Sequence, residues 1–423
     1  MKLYNYAFSS GLYSEINKRK KRQSFSLYPV VSEIIEKVIE NGDKALSEYS
    51  IKFDGISPDS ISVSKKMMKE AYDEAEPKFI EALQIAIDNI FDFHKPQLLK
   101  GYEITDEKKF MGQKVKALSR VGIYVPGGYA AYPSTLLMNV IPAKIAGVKE
   151  IVITTPPQKD IKKLKPLLVA ANMLGIEEFY LVGGVQAIAA LAYGTETISP
   201  VDKITGPGNQ YVTAAKKLVY GDVAIDMIAG PSEVLIISDG KVPLSFIVAD
   251  LLAQLEHDAE AMAILLTISE EEVERIESEI SRQVEELLRK ENVTKALNKS
   301  TYVVKCESIA EMVEMSNKIA PEHLELLVEN PVEVLADITN AGAVFLGAFT
   351  PEALGDYTAG PNHTLPTTGS ARYASPLGTY DFQKRMNYLY YDESELVKVS
   401  AYIDIFTKKE RLQAHGKAVS IRI

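Results

Sequence analysis

The sequence predicts an α/β protein with two doubly wound, incomplete Rossmann-like domains, a helical N-terminal arm and a C-terminal tail. Short β-rich segments alternate with segments of helical periodicity from residue 121 to about residue 350, which indicates parallel sheets covered by helices on both faces. About 230 residues of alternating strands and helices are too many for one small sheet, so two domains are predicted. The apolar fraction of 46% and the charged fraction of 25% are typical of globular proteins and exclude a disordered chain.

The segment before the α/β pattern divides into a basic arm and a helical zone. Residues 1–24 are polar and basic, and we interpret the run Lys18-Arg19-Lys20-Lys21-Arg22 as a solvated face rather than a nucleic-acid contact. Residues 27–117 are predicted to be mostly helical, because apolar side chains recur at three-to-four spacing. Ser64 is the predicted N-cap of one helix, and Pro77 is predicted to open the next.

The central pattern predicts buried strands that alternate with helices. The predicted strands cover residues 121–125, 150–154, 179–182, 225–227, 234–238 and 263–268. The predicted helices cover residues 134–147, 160–174, 185–193, 209–220 and 243–258. The pattern continues at residues 303–305 and 343–346, and the tail, residues 376–423, is predicted to contain a helix near 393–414.

Composition narrows the possible function. A net charge of −10 argues against a dedicated nucleic-acid binder. The single cysteine, Cys306, excludes an internal disulfide and argues against a metal site built from thiolates. No apolar run reaches the roughly 18 residues of a membrane span, and no signal-peptide pattern opens the chain, so a cytoplasmic protein without membrane contact is expected.

Four loops rich in glycine and proline follow predicted strands. They lie at residues 126–129, 183–186, 205–209 and 229–232. Ligands of open α/β sheets bind at the carboxyl ends of strands, and glycine lets the backbone approach an anionic group, so the loops suggest a dinucleotide. Tight β–α turns also need glycine, and no complete G-x-G-x-x-G motif is present, so both interpretations stay open.

Three polar groups are candidates for chemistry. Gln254 and His257 would share one helix face and could hold a metal ion, although a solvated polar face has the same spacing. Pro321 suits a first helical turn, so Glu322 and His323 are predicted at a helix start, either stabilised by the helix dipole or acting as two bases. The long segment 347–369, which contains Asp356 and His363, has the composition of a functional loop.

Taken together, these segments resemble the histidinol dehydrogenase family over residues 28 to 423. The resemblance depends on the order and joint presence of many motifs. They are Ile123 to Gly128, Val182 to Ala190, Gly206 to Asn209, Asp226 to Glu233, Gln254 to His257, Pro321 to Leu324, Gly342 to Gly347, Gly355 to Tyr357, Pro361 to His363, Asp381 to Lys384, and Glu410 to His415.

The resemblance implies a site that two subunits share. It implies one zinc ion per subunit, held by Gln254, His257, Asp356 and His415. The C-terminal tail would cross to the partner subunit of a homodimer, so that His415 and Glu410 complete the neighbouring site. The implied organisation is an arm (1–24), a discontinuous domain with most zinc and catalytic residues (25–124 plus 232–375), an NAD-binding domain (125–231) and a dimerisation tail (376–423).

The reaction implied by the resemblance is the NAD-dependent, four-electron oxidation of L-histidinol to L-histidine through the aldehyde. Glu322 matches the residue that activates water, and His323 matches the base for the alcohol. The positions that match substrate contacts are Ser232, Gln254, His257, His323, Asp356, Glu410 and His415, and those that match NAD contacts are Tyr124, Gln186 and Asn209. Oxidation of another small primary alcohol, and a two-domain binding protein without chemistry, remain as alternatives.

Overall fold

The structure is a computed structural model that describes residues 1–5, 11–16, 26–56, 58, 60–127 and 131–423. The basic run at 18–22, and Gly128 and Tyr129 of the first glycine-rich loop, lie outside these residues. The described strands are β1 (Lys2–Asn5), β2 (Tyr102–Asp106), β3 (Lys109–Ala117), β4 (Arg120–Tyr124), β5 (Glu150–Thr155), β6 (Glu178–Leu181), β7 (Lys203–Thr205), β8 (Ala224–Ile225), β9 (Glu233–Ser238), β10 (Met262–Thr267), β11 (Thr301–Lys305), β12 (His323–Leu327), β13 (Ala343–Leu346) and β14 (Gln383–Tyr391).

The described helices lie mostly between strands. They are α1 (residues 11–16), α2 (Tyr28–Asp54), α3 (Lys65–Asp73), α4 (Pro77–His94), α5 (Pro133–Ala146), α6 (Lys165–Met173), α7 (Gly184–Tyr193), α8 (Gln210–Val219), α9 (Leu244–Leu255), α10 (Glu270–Val284), α11 (Lys290–Ser300), α12 (Ile309–Ile319), α13 (Pro331–Leu335), α14 (Glu352–Tyr357), α15 (Glu393–Glu410) and α16 (Gln413–Ser420). Among them, none combines the length and the apolar composition that a bilayer crossing requires.

The first of two parallel sheets has five strands, in the order β6-β5-β4-β7-β8. Side chains of β5 alternate between its two faces: Ile151 and Ile153 join the core under α4, α5 and α6, whereas Val152 joins the core under α2, α7 and α8. Burial on both faces explains why these strands read as continuous apolar segments.

The second parallel sheet has six strands, in the order β1-β11-β10-β9-β12-β13. Val234 and Ile236 of β9 pack under α9, α10 and α11. Leu235 and Ile237 face α12 and α1 on the opposite side. The two parallel sheets confirm the predicted α/β class.

The grouping of the N-terminal segments differs from the prediction in two respects. Strand β4 is the middle strand of the five-stranded sheet, and α2, α3 and α4 pack on that sheet, so residues 25–124 do not group with 232–375 as predicted. Within the predicted arm, β1 is an edge strand of the six-stranded sheet, and Leu12 and Ile16 of α1 are buried in its core. Their apolar side chains find a partner only in the distant second sheet, which local periodicity does not reveal.

A three-stranded antiparallel sheet, in the order β14-β3-β2, is the largest feature that the sequence prediction missed. Two of its strands fall in the zone predicted to be mostly helical, and β14 falls in the predicted tail. Strand β2 is exposed throughout, and Gly112 is the one buried residue of β3, so the alternation that normally identifies a strand is weak. Phe382, directly before β14, is fully buried in the first core and fastens this part of the tail to it.

Candidate active site

The candidate NAD residues lie at the carboxyl edge of one parallel sheet, whereas the candidate catalytic residues lie at the amino edge of the other. Tyr124 ends β4 and Gln186 follows β6, so the candidate NAD residues lie at the carboxyl edge of the five-stranded sheet, as predicted. His323 is instead the first residue of β12, at the amino edge of the six-stranded sheet. Residues 226–232 connect β8 to β9, and seven residues span at most roughly 25 Å, so this connection ties the two edges together.

His323 is a buried imidazole with one free nitrogen. Its Nδ1 lies 3.1 Å from the carbonyl oxygen of Glu233. A carbonyl can only accept, so we assign the hydrogen to Nδ1. The Nε2 atom is buried and has no hydrogen-bond partner among the described residues. Burial lowers the pKa of His323 to about 4, so the ring is neutral at pH 7 and Nε2 can accept a proton.

The predicted helix start at Glu322 and His323 is wrong. Residues 323–327 form a fully buried strand between β9 and β13, with His323 opposite Val234 and Ala343. Pro321 fits a first helical turn on local grounds, but burial between two strands decides the conformation of the apolar segment that follows. The strand places the His323 ring beside the backbone of Glu233.

Glu322 is held by the backbone of Glu233, the residue that also binds His323. Its Oε2 accepts a hydrogen bond from the N–H of Glu233 at 2.9 Å and lies 3.8 Å from Nδ1 of His323. Complete burial raises the pKa of Glu322 well above its usual range, and the charges of Glu233 and Asp356 raise it further. A carboxylate whose pKa is raised is a stronger base than a solvated one, which suits a base for water.

A third buried acid, Glu352, lies in the same group and was not predicted. Its Oε1 lies 3.7 Å from Nδ1 of His323. With the amide nitrogen of Gln254 facing Glu352, that nitrogen lies 2.8 Å from both carboxylate oxygens. Burial raises the pKa of Glu352 well above its usual range, and the charge of Asp356 adds to the effect. Local sequence gives Glu352 only the appearance of an ordinary acid in a first helical turn.

Three side chains near this group could hold a metal ion. One ligand atom each from His257, Glu352 and Asp356 lie within 4.8 Å of one another. Imidazole nitrogen and carboxylate oxygen are donors that suit zinc, so the donor set fits the implied ion. His257 lies in the turn just after α9, which ends at Leu255 rather than at residue 258 as predicted.

The remaining predicted substrate and metal positions divide into two sets. Ser232 is half-buried directly before β9, next to the backbone of Glu233, and Gln254 is fully buried in α9. Glu410 ends α15 and His415 lies in α16, and both are exposed to solvent. Within the described part of one chain, the group of possible metal ligands therefore does not include His415.

The candidate NAD residues line the carboxyl edge of the first sheet. The hydroxyl of Tyr124 accepts a hydrogen bond from the N–H of Gly184 at 3.2 Å, and burial raises the pKa of Tyr124 to about 12. Gln186 is buried, yet neither amide atom has a hydrogen-bond partner among the described residues. Leaving a buried amide without hydrogen bonds costs free energy, so the two unpaired amide atoms of Gln186 fit a site that a polar ligand completes. Asn209 is exposed, and its Oδ1 caps α8 by accepting from the N–H groups of Tyr211 and Val212.

A buried ion pair shapes the loop before Asn209. Lys216 and Asp226 form a salt bridge with side chains only 4% and 1% exposed. Lys216 also donates to the carbonyl oxygen of Gly206 at 2.9 Å, and the N–H of Gly206 donates to Asp226 at 2.8 Å. Gly206 has a φ of +109°, and a Cβ there would lie 2.1 Å from the carbonyl oxygen of Tyr124. The pair thus holds the loop tightly against Tyr124, where only glycine fits.

Comparison with known proteins gives one consistent result. The family model described as histidinol dehydrogenase matches residues 17–423. The histidinol dehydrogenase of Clostridium acetobutylicum is 49% identical over 411 residues, covering 97% of this chain and 95% of its own. That of Methanocaldococcus jannaschii is 46% identical over 97% of this chain and 95% of its own.

A solved structure agrees with the sequence comparisons. The crystal structure of the histidinol dehydrogenase from Elizabethkingia anophelis matches with a TM-score of 0.92 and 38% identity, covering 100% of this chain and 98% of that one. The resemblance of the motifs to this family is therefore confirmed over nearly the whole chain. The chain belongs to the histidinol dehydrogenase family.

Proposed function

We propose that this chain oxidises L-histidinol to L-histidine with NAD⁺ as the electron acceptor. The single observation that carries the proposal is the buried Glu322–His323 pair beside the possible metal ligands His257 and Asp356, in a chain of this family. Overall, one alcohol, two NAD⁺ and one water give one carboxylate, two NADH and three protons. Such a reaction needs a base for the alcohol, a base for water and a firm hold on the aldehyde.

His323 is proposed as the base for the alcohol. Its Nε2 is the unprotonated nitrogen, and the hydrogen bond from Nδ1 to Glu233 holds the ring in that tautomer. The proton of the substrate hydroxyl moves to Nε2 as the hydride leaves the adjacent carbon for NAD⁺. The same nitrogen then takes the proton of the hydrated aldehyde, once the first proton has left.

Glu322 is proposed to activate water for attack on the aldehyde. Its Oε2 is occupied by the N–H of Glu233, so Oε1 is the atom available to accept a proton from water. Burial of Glu322 strengthens its basicity, because a raised pKa brings the carboxyl closer to the working pH.

The substrate and cofactor would be held by separate groups of residues. Zinc, when bound by His257, Asp356 and Gln254, supplies a fixed positive charge that orients the amino and imidazole nitrogens of histidinol. Ser232 lies beside the same group. NAD⁺ would lie along Tyr124, Gln186 and Asn209, where the unpaired amide of Gln186 supports a ligand contact.

We propose that two copies of the chain share their sites. Support comes from α15 and α16, which expose large apolar side chains rather than bury them, including Tyr402, Ile405, Phe406 and Ile421. Exposed large apolar side chains concentrated in one segment are typical of an interface between subunits. A partner packed there would bring its His415 and Glu410 to this chain's site, so His415 would become the fourth zinc ligand.

The central test is turnover with defined stoichiometry. Purified chain is incubated with zinc, NAD⁺ and L-histidinol, and NADH absorbance and histidine are measured. Two NADH per histidinol are expected. Absence of NADH, or one NADH without histidine, contradicts the proposal, and preference for an alcohol without an imidazole would instead favour a different substrate. His323→Asn is expected to abolish turnover while the zinc content stays unchanged.

Sharing of the site is tested with two inactive variants. Chains with Glu322→Gln and chains with His415→Asn are mixed, dissociated and reassembled. In a mixed dimer one site has both unaltered residues if His415 comes from the partner, so activity should return. Failure of any activity to return would show that each site is built from one chain.

A further inference from the structure

The amide of Gln254 must present the correct atom before it can serve a metal ion. Gln254 is fully buried near the end of α9, where its side chain cannot exchange hydrogen bonds with water. Its carbonyl oxygen has lone pairs to offer, whereas the NH₂ group only donates hydrogen bonds. An amide turned the wrong way would direct two hydrogens at the cation. The orientation of Gln254 is therefore part of the construction of the proposed zinc site.

Two groups lie close enough to the amide nitrogen to fix that orientation. When the amide of Gln254 is turned so that its nitrogen faces Glu352, Nε2 lies 2.8 Å from each carboxylate oxygen of Glu352 and 3.1 Å from Nδ1 of His323. Nδ1 of His323 already donates to the carbonyl oxygen of Glu233 and so carries a hydrogen. Two donors cannot bond to each other, which leaves Glu352 as the acceptor for the Gln254 amide.

We infer that Glu352 is a positioning residue that orients the amide of Gln254, so that the amide oxygen is the atom available to the metal ion. This inference rests on the zinc site of the proposed function. An ionised Glu352 offers two acceptor oxygens to the amide nitrogen, and a protonated one still offers its unprotonated oxygen. Hydrogen-bonded partners behind a metal ligand commonly fix its orientation in this way.

The position of Glu352 is itself fixed by the second sheet. Its backbone N–H donates to Oε1 of Glu325 at 2.9 Å, and Glu325 is a fully buried residue of β12. The first residue of that strand is His323. The carboxylate that orients Gln254 and the proposed base are thus held by one strand, which keeps their relative positions constant.

A direct bond from Glu352 to the metal is the competing role, since its carboxylate oxygen lies within 4.8 Å of ligand atoms of His257 and Asp356. The two roles differ in how substitutions combine. A residue that acts only through Gln254 has no effect on zinc once Gln254 is removed, whereas an independent ligand still has one.

The test measures the dissociation constant for zinc of the full-length protein by competition with a chelator, independently of turnover. Glu352→Met removes the acceptor but keeps the side-chain length, and it is expected to raise the constant by about 10–100-fold. Glu352→Gln keeps a carbonyl acceptor and should stay within about threefold of the unaltered chain. Glu333→Gln, an exposed change on α13, is the matched control and should have no effect.

The decisive measurement repeats Glu352→Met in a Gln254→Ala background. We expect the added substitution to change the constant by less than about twofold. A further tenfold rise would identify Glu352 as an independent ligand and overturn the inference. Should Glu352→Met unfold by circular dichroism, Glu352→Leu replaces it in the same cycle. If the unaltered chain binds no zinc, the proposed metal site itself is overturned. If zinc binds equally well with and without Glu352→Met, only the role of Glu352 is overturned.

Discussion

Replacement of Lys216 by Met should strongly destabilise the fold, because it removes one partner of a buried ion pair. The Lys216 and Asp226 side chains are 4% and 1% exposed, so water cannot replace the lost ammonium group. Breaking a buried pair from one side typically costs about 3–5 kcal/mol. Asp226 keeps the backbone N–H groups of Gly206 and Met227 as donors, at 2.8 and 2.6 Å. We therefore expect Lys216→Met to lower the free energy of unfolding by about 3 kcal/mol, the lower end of that range.

The assay for this prediction is urea unfolding followed by circular dichroism. The control is Lys66→Met on α3, where the partner Glu70 lies 3.7 Å away and the side chains are 84% and 58% exposed. That change should cost less than about 0.5 kcal/mol. Adding Asp226→Asn to Lys216→Met removes the stranded charge and should recover part of the loss. A cost below about 1 kcal/mol for Lys216→Met would refute the reasoning, since it would mean that Asp226 is solvated or neutral.

Three further predictions test other parts of the structure. Phe382→Ala should cost about 3–5 kcal/mol of unfolding free energy because Phe382 is fully buried, whereas the 88% exposed Phe349 should tolerate the same change in the same assay. Burial lowers the pKa of His94, and its Nε2 faces the amide nitrogen of Asn362 at 3.3 Å, so the folded protein holds it neutral. Stability should therefore fall as the pH drops below about 6.5, and pH-dependent melting of His94→Gln should show a slope that is shallower by up to about 1.4 kcal/mol per pH unit. The rest of the slope should remain, because burial also lowers the pKa values of His323 and His363. Gln186→Leu should raise the KM for NAD⁺ at least tenfold with little loss of unfolding free energy, because the amide it removes has no hydrogen-bond partner among the residues that the structure describes. An unchanged KM would contradict the proposed cofactor contact.

The parallel sheets could be predicted from the sequence because burial on both faces leaves a direct local signal. Strand β10 consists almost wholly of apolar residues, and β5 has a continuous apolar run at its centre. For both strands the predicted range lies within two residues of the observed one. The antiparallel sheet leaves no such signal, because most of its side chains face solvent. Strand β7, three residues long, is too short to show a period.

The site was less predictable, because its members become neighbours only in the folded chain. The motifs identified Gln254, His257 and Asp356 through resemblance, yet nothing local distinguishes Glu352 from the acids that open many helices. The conformation at His323 was mispredicted because its neighbours β9 and β13, distant in sequence, decide it. Glu410 and His415 are exposed in one chain, and in the proposed shared site their positions would depend on a second copy, which no pattern within one sequence describes.

The pairing of β1 with β11 has a consequence for the order in which the protein can form during synthesis. Lys2 pairs with Tyr302, so β1 is synthesised some 300 residues before its hydrogen-bonding partner. At about 5–20 residues per second, this delay is roughly 15–60 s. The five-stranded sheet, complete by residue 225, can fold during that interval, while β1 has no partner until β11 is made. An unpaired strand is a target for wrong partners, so a nascent-chain chaperone would have most to protect at β1.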